Sequence, residues 1–233
     1  MVFLAAFCWL YFYACDLPDI TALAQYAPTT VTQVSDPCLG ASVAVPFEGI
    51  GGNLRDAIRA AEANEGDPGA LSEMFRVNFT DKLPLHRVSL PVVVGRSLFC
   101  SPSKMLRRHF EELRTAIQLD RRFSRHQLLT IYANRVFLGP NVVGVHDGAQ
   151  FYFQKNSADL TISEAALLVS IARAPSWLSP VKHPDRALRR RNEVIDAMVE
   201  NGSITAAEAQ AAKNAPLGVA ISATTAAAPV RTP

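Results

Sequence analysis

Apolar positions along the chain recur mainly at helical spacing. Behind Asn53, Leu54, Ile58 and Ala61 fall at i, i+4 and i+7, which places them on one face of a helix. A longer stripe of the same kind ends near position 120 and comprises Leu106, Phe110, Leu113 and Ile117. Such stripes predict amphipathic helices that bury one face against a core.

Polar residues at the ends of the apolar runs predict where helices begin and end. The pairs with capping-box spacing are Ser124 with Gln127, Thr161 with Glu164, and Thr205 with Glu208. A helix from Asp185 to Glu200 is predicted to stop at Asn201-Gly202, where a left-handed residue fits. We therefore predict a mainly α-helical domain of about seven helices, with long loops around 64–68 and 139–145.

The N-terminal part has a different character. Residues 1–15 carry no charge and are almost entirely apolar, which predicts a membrane segment, although a full span needs roughly 20 residues. Residues 16–52 are rich in Pro, Thr, Val and Gly and predict a stalk with short strands near 31–34 and 41–45. The helical domain is expected over 53–213, and the Ala/Thr/Pro-rich residues 214–233 are expected to be disordered.

Charge and cysteine content narrow the class of function. The formal net charge of the 233 residues is only +2, which argues against a nucleic-acid binder. Positive charge is concentrated between Lys104 and His126, where seven Lys or Arg face three acidic residues. The four cysteines have neither zinc-site nor disulfide-framework spacing, so we predict no structural metal. Whether Cys38 pairs with Cys100 stays open.

Several ordered blocks resemble one known family. They are Leu119-Asp120-Arg121-Arg122-Phe123-Ser124, the run from Ile131 to Gly139, Gly144-Val145 with Tyr152-Phe153, the run from Leu160 to Leu168, and Ala174-Pro175-Ser176 with Ser179-Pro180. Together they resemble the glycosyltransferase domain of class A penicillin-binding proteins and of monofunctional peptidoglycan glycosyltransferases. The resemblance spans roughly 16–212 and implies a lysozyme-like, helical fold.

The resemblance also implies a reaction. In this family the 4-hydroxyl of a lipid II sugar attacks the anomeric carbon of the growing glycan chain and expels undecaprenyl pyrophosphate, with inversion. The expected partners are lipid II, the nascent glycan, the membrane and cell-wall synthesis proteins, with the domain on the outer face of the cytoplasmic membrane. No cofactor is required. The family also allows a divalent metal, Mg²⁺ or Mn²⁺, near the pyrophosphate, with Glu112 as its ligand.

Two carboxylates match the family's site. Glu62 stands where the family has its base, at the end of a helix and at the edge of the apolar stripe, where partial burial would raise its pKa. The alternative is a helix-surface Glu paired with Arg59 three residues earlier. Glu112 matches the second carboxylate and lies four residues after Arg108, so both would share one face. The alternative there is a solvated salt bridge.

Three cations match the family's pyrophosphate contacts: Arg96, Lys104 and Arg108. Arg can bind phosphate oxygens with two hydrogen bonds, and Lys acts as a point charge. The alternative is an ordinary solvated charged face. Asn134 and Glu164 also match the family, but we expect them to be architectural.

The chain departs from the family around the site. The segment that follows Glu62 is shorter than in the family and lacks its Phe and His, and Val92 and Val93 replace a pair of Gln. Pro91 is expected to disrupt hydrogen bonds of that segment. Two functions therefore stay open: a working glycosyltransferase, or a degenerate homologue that binds lipid II, glycan or a cell-wall enzyme without transfer. A lysozyme-like hydrolase, which needs a cleft open to water, ranks last.

Overall fold

The computed structural model describes residues 20–36, 40–62, 90–96 and 105–220. Within these ranges the chain forms eight α-helices: α1 (Gly52–Glu62), α2 (Leu90–Arg96), α3 (Met105–Arg122), α4 (Arg125–Arg135), α5 (Val145–Phe153), α6 (Ile162–Arg173), α7 (Pro184–Glu200) and α8 (Ala206–Asn214). The four strands are β1 (Thr32–Asp36), β2 (Gly40–Ala44), β3 (Phe137–Gly139) and β4 (Val142–Val143). Short 3-10 segments occur at Ile20–Tyr26, Phe47–Gly49 and Ser157–Asp159. The prediction of a mainly helical chain is confirmed.

Local signals for the helix ends are also confirmed. All three predicted capping boxes form, at the starts of α4, α6 and α8. In the first of them Ser124 Oγ accepts from the Gln127 N–H at 3.3 Å, and Gln127 Oε1 accepts from the Ser124 N–H at 2.9 Å. Behind α7, Gly202 has a φ of 69°, the left-handed stop that Asn201-Gly202 predicts. These ends depend only on neighbouring residues.

Helix α6 lies at the centre of the fold. It packs against α1, α5, α7 and α8, and its residues 165–171 are all buried. A helix that is apolar on every side has no solvent face and must be enclosed. Because α1 packs on both α6 and α7, the C-terminal end of α1 lies inside the domain.

Residues 20–36 and 40–52, which belong to the predicted stalk, pack against the helical core. Strands β1 and β2 form an antiparallel hairpin, close to the stretches where strands were expected. The residues buried there are Leu23, Tyr26, Val34, Ala44, Val45, Phe47 and Ile50. Asn134 of α4 fixes this part of the chain, since its amide donates to Tyr26 O at 2.9 Å and Val45 O at 2.8 Å, and its Oδ1 accepts from Val45 N–H at 2.9 Å. The expectation that Asn134 is architectural is confirmed.

Two further segments differ from expectation. The predicted long loop at 139–145 is mostly a hairpin of β3 and β4, because Asn141 adopts the left-handed φ of 60° that a tight turn needs. Pro91 does not disrupt the hydrogen bonds of its helix, because it lies in the first turn of α2. The N–H groups of the first turn have no partner within the helix, so the missing N–H of proline costs no helical hydrogen bond.

Residues 215–220, behind α8, are hydrogen-bonded to the rest of the domain, although disorder was expected from 214. Buried Arg191 donates to Lys213 O and to Ala215 O, each at 2.7 Å. The N–H of Ala220 donates to Tyr152 O at 2.8 Å. These bonds attach the segment to α5 and α7.

Across the described ranges no helix is both long and apolar enough to cross a membrane. The predicted membrane segment, 1–15, lies outside those ranges.

Candidate active site

Glu62 is the last residue of α1 and is buried, with a side chain that is 0% exposed. This burial follows from packing of α1 against α4, α6 and α7. The sequence places Glu62 only at the edge of the apolar stripe, whereas the fold encloses it. A buried carboxylate must have hydrogen-bond or ionic partners, because an isolated one is very costly.

Two side chains from other helices provide those partners. Arg173, at the end of α6, donates through Nη2 to Glu62 Oε2 at 2.9 Å, and Tyr132 of α4 donates its hydroxyl to Glu62 Oε1 at 3.1 Å. The same Arg173 nitrogen donates to Ala61 O at 3.1 Å. The alternative pairing with Arg59 does not form, since Arg59 pairs with Asp56 at 3.5 Å.

Burial dominates the electrostatics of this cluster. It raises the pKa of Glu62, while Arg173, Tyr132 and Arg190 oppose the rise. Burial and the neighbouring Glu62 also raise the pKa of Tyr132 well above its usual value, so its hydroxyl stays a donor. The direction for Glu62 is the one expected from the sequence, and it is typical of carboxylates at functional sites.

A cavity of about 350 Å³ lies beside the end of α1. Ala60 and Ala61 form one wall of the cavity and α7 forms the other, with Arg190 and Glu193 among its lining residues. Glu62 is not part of the lining.

Glu112, the second predicted carboxylate, lies in α3 and is 8% exposed. That burial differs from the solvated salt bridge considered as its alternative. Helix α3 packs mainly against α2 and the segment Ile20–Tyr26, whereas Glu62 faces α4 and α6. At Gly95 a Cβ would lie 3.4 Å from Glu112 O, so the helix that carries Arg96 approaches the backbone of Glu112 closely.

The predicted phosphate-binding cations are described only in part. Arg96 ends α2 and Arg108 lies in the first turn of α3, but their side chains are outside what the structure describes, as is all of Lys104. Helix α2, which carries Arg96, packs on α3, which carries Glu112. The role of the three cations stays a prediction.

The residues that sequence reasoning missed are Arg173 and Tyr132. Tyr132 lies within the Ile131–Gly139 run that resembles the family, and Arg173 directly precedes the Ala174-Pro175-Ser176 block. Nothing local links either residue to Glu62, because they are 70 and 111 positions away from it in the chain. Glu164, by contrast, caps α6 and bonds Lys155 at 2.8 Å, as its architectural assignment predicts.

The donor set for a divalent metal is incomplete in the described part of the chain. No group of three or more His, Cys, Asp or Glu side chains converges there, and Mg²⁺ or Mn²⁺ prefers several oxygen ligands. Glu112 with its neighbour Glu111 supplies two carboxylates at most.

Comparison with known proteins identifies similar chains. Residues 93–199 match a family model described as Transglycosylase. Penicillin-binding protein 1A of Aquifex aeolicus is 38% identical over 154 residues, 66% of this chain and 21% of that protein. Penicillin-binding protein 1A of Rickettsia prowazekii is 30% identical over 214 residues, 84% of this chain and 27% of that protein. This chain thus spans only 21% and 27% of the length of these two relatives.

Among solved structures, penicillin-binding protein 1A from Haemophilus influenzae is similar at 26% identity, with a TM-score of 0.39. The match covers 57% of this chain and 17% of that chain.

Proposed function

We propose that this chain, which carries a domain of the transglycosylase family, is a peptidoglycan glycosyltransferase that polymerises lipid II into glycan strands. The observation that carries the proposal is the burial of Glu62 together with its raised pKa. The residue that matches the family's base is a buried carboxylate with a raised pKa, held by one donor on each oxygen. A base near neutral pH needs such a shift from its ordinary value.

The proposed reaction is a single displacement with inversion. Glu62 accepts the proton of the acceptor's 4-hydroxyl as that oxygen forms a bond to the anomeric carbon of the lipid-linked glycan. The bond from this carbon to pyrophosphate breaks, and undecaprenyl pyrophosphate leaves with the electron pair. Arg96, Lys104 and Arg108 would stabilise the negative charge of the pyrophosphate, since preorganised cations act where charge develops. Glu112 would be the second carboxylate of the site.

The proposal includes the setting of the domain. Its fold would be lysozyme-like, with residues 1–15 in the cytoplasmic membrane and the helical domain on the outer face, where lipid II and the nascent glycan are found. Cell-wall synthesis proteins would be its partners. A divalent cation near the pyrophosphate, with Glu112 as ligand, also stays a proposal that the family suggests.

The burial of Glu62 favours a second candidate function. A base must come within hydrogen-bonding reach of the hydroxyl it deprotonates, yet the Glu62 side chain exposes no surface to solvent. A homologue that binds lipid II, glycan or a cell-wall protein without catalysing transfer would not need this access. The same burial argues against a hydrolase, which needs water at its carboxylate.

Labelled lipid II separates the two candidates. We expect the full chain in detergent, with and without added Mg²⁺, to convert lipid II into glycan strands that gel electrophoresis resolves and muramidase digests. Binding of lipid II without any polymer would support the second candidate. A protein that neither binds nor polymerises lipid II would contradict both.

A further inference from the structure

We propose that Arg173, with Tyr132, is a positioning residue that holds the Glu62 carboxylate in one orientation for proton abstraction. This inference deepens the proposed function and rests on it. Three helices meet at the cluster, because Glu62 ends α1, Tyr132 lies in α4 and Arg173 ends α6. Arg173 acts through Glu62, which it contacts directly.

Arg173 contacts both the side chain of Glu62 and the backbone of α1. One guanidinium nitrogen lies 2.9 Å from Glu62 Oε2 and 3.1 Å from Ala61 O. Ala61 O is one of the last four carbonyls of α1, which have no partner within the helix. Arg173 therefore caps the C-terminal end of α1 and orients the carboxylate that this end presents.

Tyr132 fixes the second carboxylate oxygen. Its hydroxyl donates to Oε1 at 3.1 Å, so the two oxygens of Glu62 are held by donors from two different helices. Rotation of the carboxylate would break one bond or the other. Helix α4 is itself anchored, since Asn134 bonds the backbones of Tyr26 and Val45. Each carboxylate oxygen keeps a lone pair, because a carboxylate has about four acceptor sites.

Helix α7, packed against the end of α1, carries charges of both signs: Arg190 is paired with Glu193 at 2.6 Å, and Asp196 and Glu200 line the same cavity. Arg173 from α6 and Arg190 from α7 favour its ionised form, and Tyr132 from α4 does so by hydrogen bonding. Asp159 in the fourth packed element, Ser157–Asp159, is exposed. Burial raises the pKa of Glu62 and the charge of Arg173 lowers it. Removal of Arg173 would therefore raise this pKa further. A protonated Glu62 cannot accept a proton.

Three variants of the full chain test the role of Arg173. Arg173→Met removes both the charge and the donors, and Arg173→Lys keeps the charge and can donate to the same oxygen. Arg189→Gln, at an exposed position of α7, removes one positive charge elsewhere. The readouts are the pH dependence of kcat/KM for lipid II polymerisation and the ¹³C carboxyl titration of Glu62, assigned with Glu62→Gln.

We expect Arg173→Met to move the acid limb of the rate profile and the Glu62 titration upward by about 1–3 pH units. On the acid limb of the profile its kcat/KM should fall about tenfold for each pH unit of this shift, because the ionised fraction of a carboxyl group below its pKa falls about tenfold per unit. Arg173→Lys should restore most of the rate, and Arg189→Gln should match the native protein in both readouts. If Arg173 has a purely structural role, Arg173→Met would lower thermal stability. The pH dependence of kcat/KM, measured on the protein that remains folded, would then not change.

The two readouts distinguish failure of this inference from failure of the proposed function. A native protein that polymerises lipid II, with an unchanged profile and titration in Arg173→Met, would overturn the role of Arg173. A native protein without polymerase activity would overturn the proposed function, and with it the positioning of a base, even if the Glu62 titration shifts. A shift in both readouts supports both.

Discussion

Asn134→Ala is expected to lower the free energy of unfolding by about 3–5 kcal/mol. Asn134 is 1% exposed, and its amide makes all three of its bonds to the backbone at 2.8–2.9 Å. Alanine would leave the Val45 N–H and the carbonyls of Val45 and Tyr26 buried without this partner, and each orphaned group costs about 1–3 kcal/mol. The bonds also connect α4 to Tyr26 and Val45, 108 and 89 positions earlier, so the packing of residues 20–36 and 40–50 on the helical core depends on them.

Chemical unfolding of the full chain in detergent measures this loss. A matched control is Asn156→Ala, because Asn156 is exposed and its side chain caps no helix. That variant should lie within about 0.5 kcal/mol of the native protein. A loss below ~1 kcal/mol for Asn134→Ala would show that these three bonds do not hold the N-terminal segment.

Arg173→Met is expected to destabilise the protein strongly at high pH and weakly at low pH. Removal of one partner of a buried ion pair costs about 3–5 kcal/mol, because the other charge stays buried. Glu62 has a folded pKa above its ordinary value of 4.5, so between 4.5 and that pKa the folded state binds more protons than the unfolded state. Stability from this group is then greatest at low pH and falls as pH rises through the folded pKa.

Loss of Arg173 raises the folded pKa of Glu62 further. The pH range over which stability falls therefore becomes wider, and the total loss of stability at high pH becomes larger. Near pH 4, where Glu62 is protonated in both states, the cost should shrink to about 1–2 kcal/mol for lost hydrogen bonds and contacts. The double variant Glu62→Gln/Arg173→Met carries no buried charge at the cluster, so it should be less destabilised at pH 8 than Arg173→Met alone. Unfolding curves at pH 4 and pH 8 provide the measurement. A pH-independent cost would contradict an ionised Glu62 as the partner of Arg173.

The sequence predicts most of the helices because their signals are local. Capping boxes such as Ser124 with Gln127 need residues three apart, and apolar stripes need only one face of one helix. The packing of residues 20–36 and 40–50 on the core could not be predicted in this way. It depends on Asn134 meeting Tyr26, 108 positions apart in the chain, and nothing in the composition of the segment marks that contact. The segment therefore has the composition of a stalk and the packing of a core element.

The candidate site shows the same limit. Helical spacing and family resemblance identify Glu62 and the direction of its pKa shift, because both depend on its own helix. They do not identify what faces it, since Arg173 is 111 positions away. The apolar stripe predicts only partial burial of Glu62, because it marks one packed face of α1. In the structure both α6 and α7 pack against this helix.

The role of Glu62 as base is tested most directly by initial rates of lipid II polymerisation for the full chain and its Glu62→Gln variant. Loss of a general base typically costs 10²–10⁴-fold, so we expect kcat to fall by about 10³-fold, with binding of lipid II retained. Asp185→Asn, which neutralises an exposed carboxylate in the first turn of α7, should polymerise at the native rate. A Glu62→Gln variant that polymerises as fast as the native protein would contradict the assignment of Glu62 as the base.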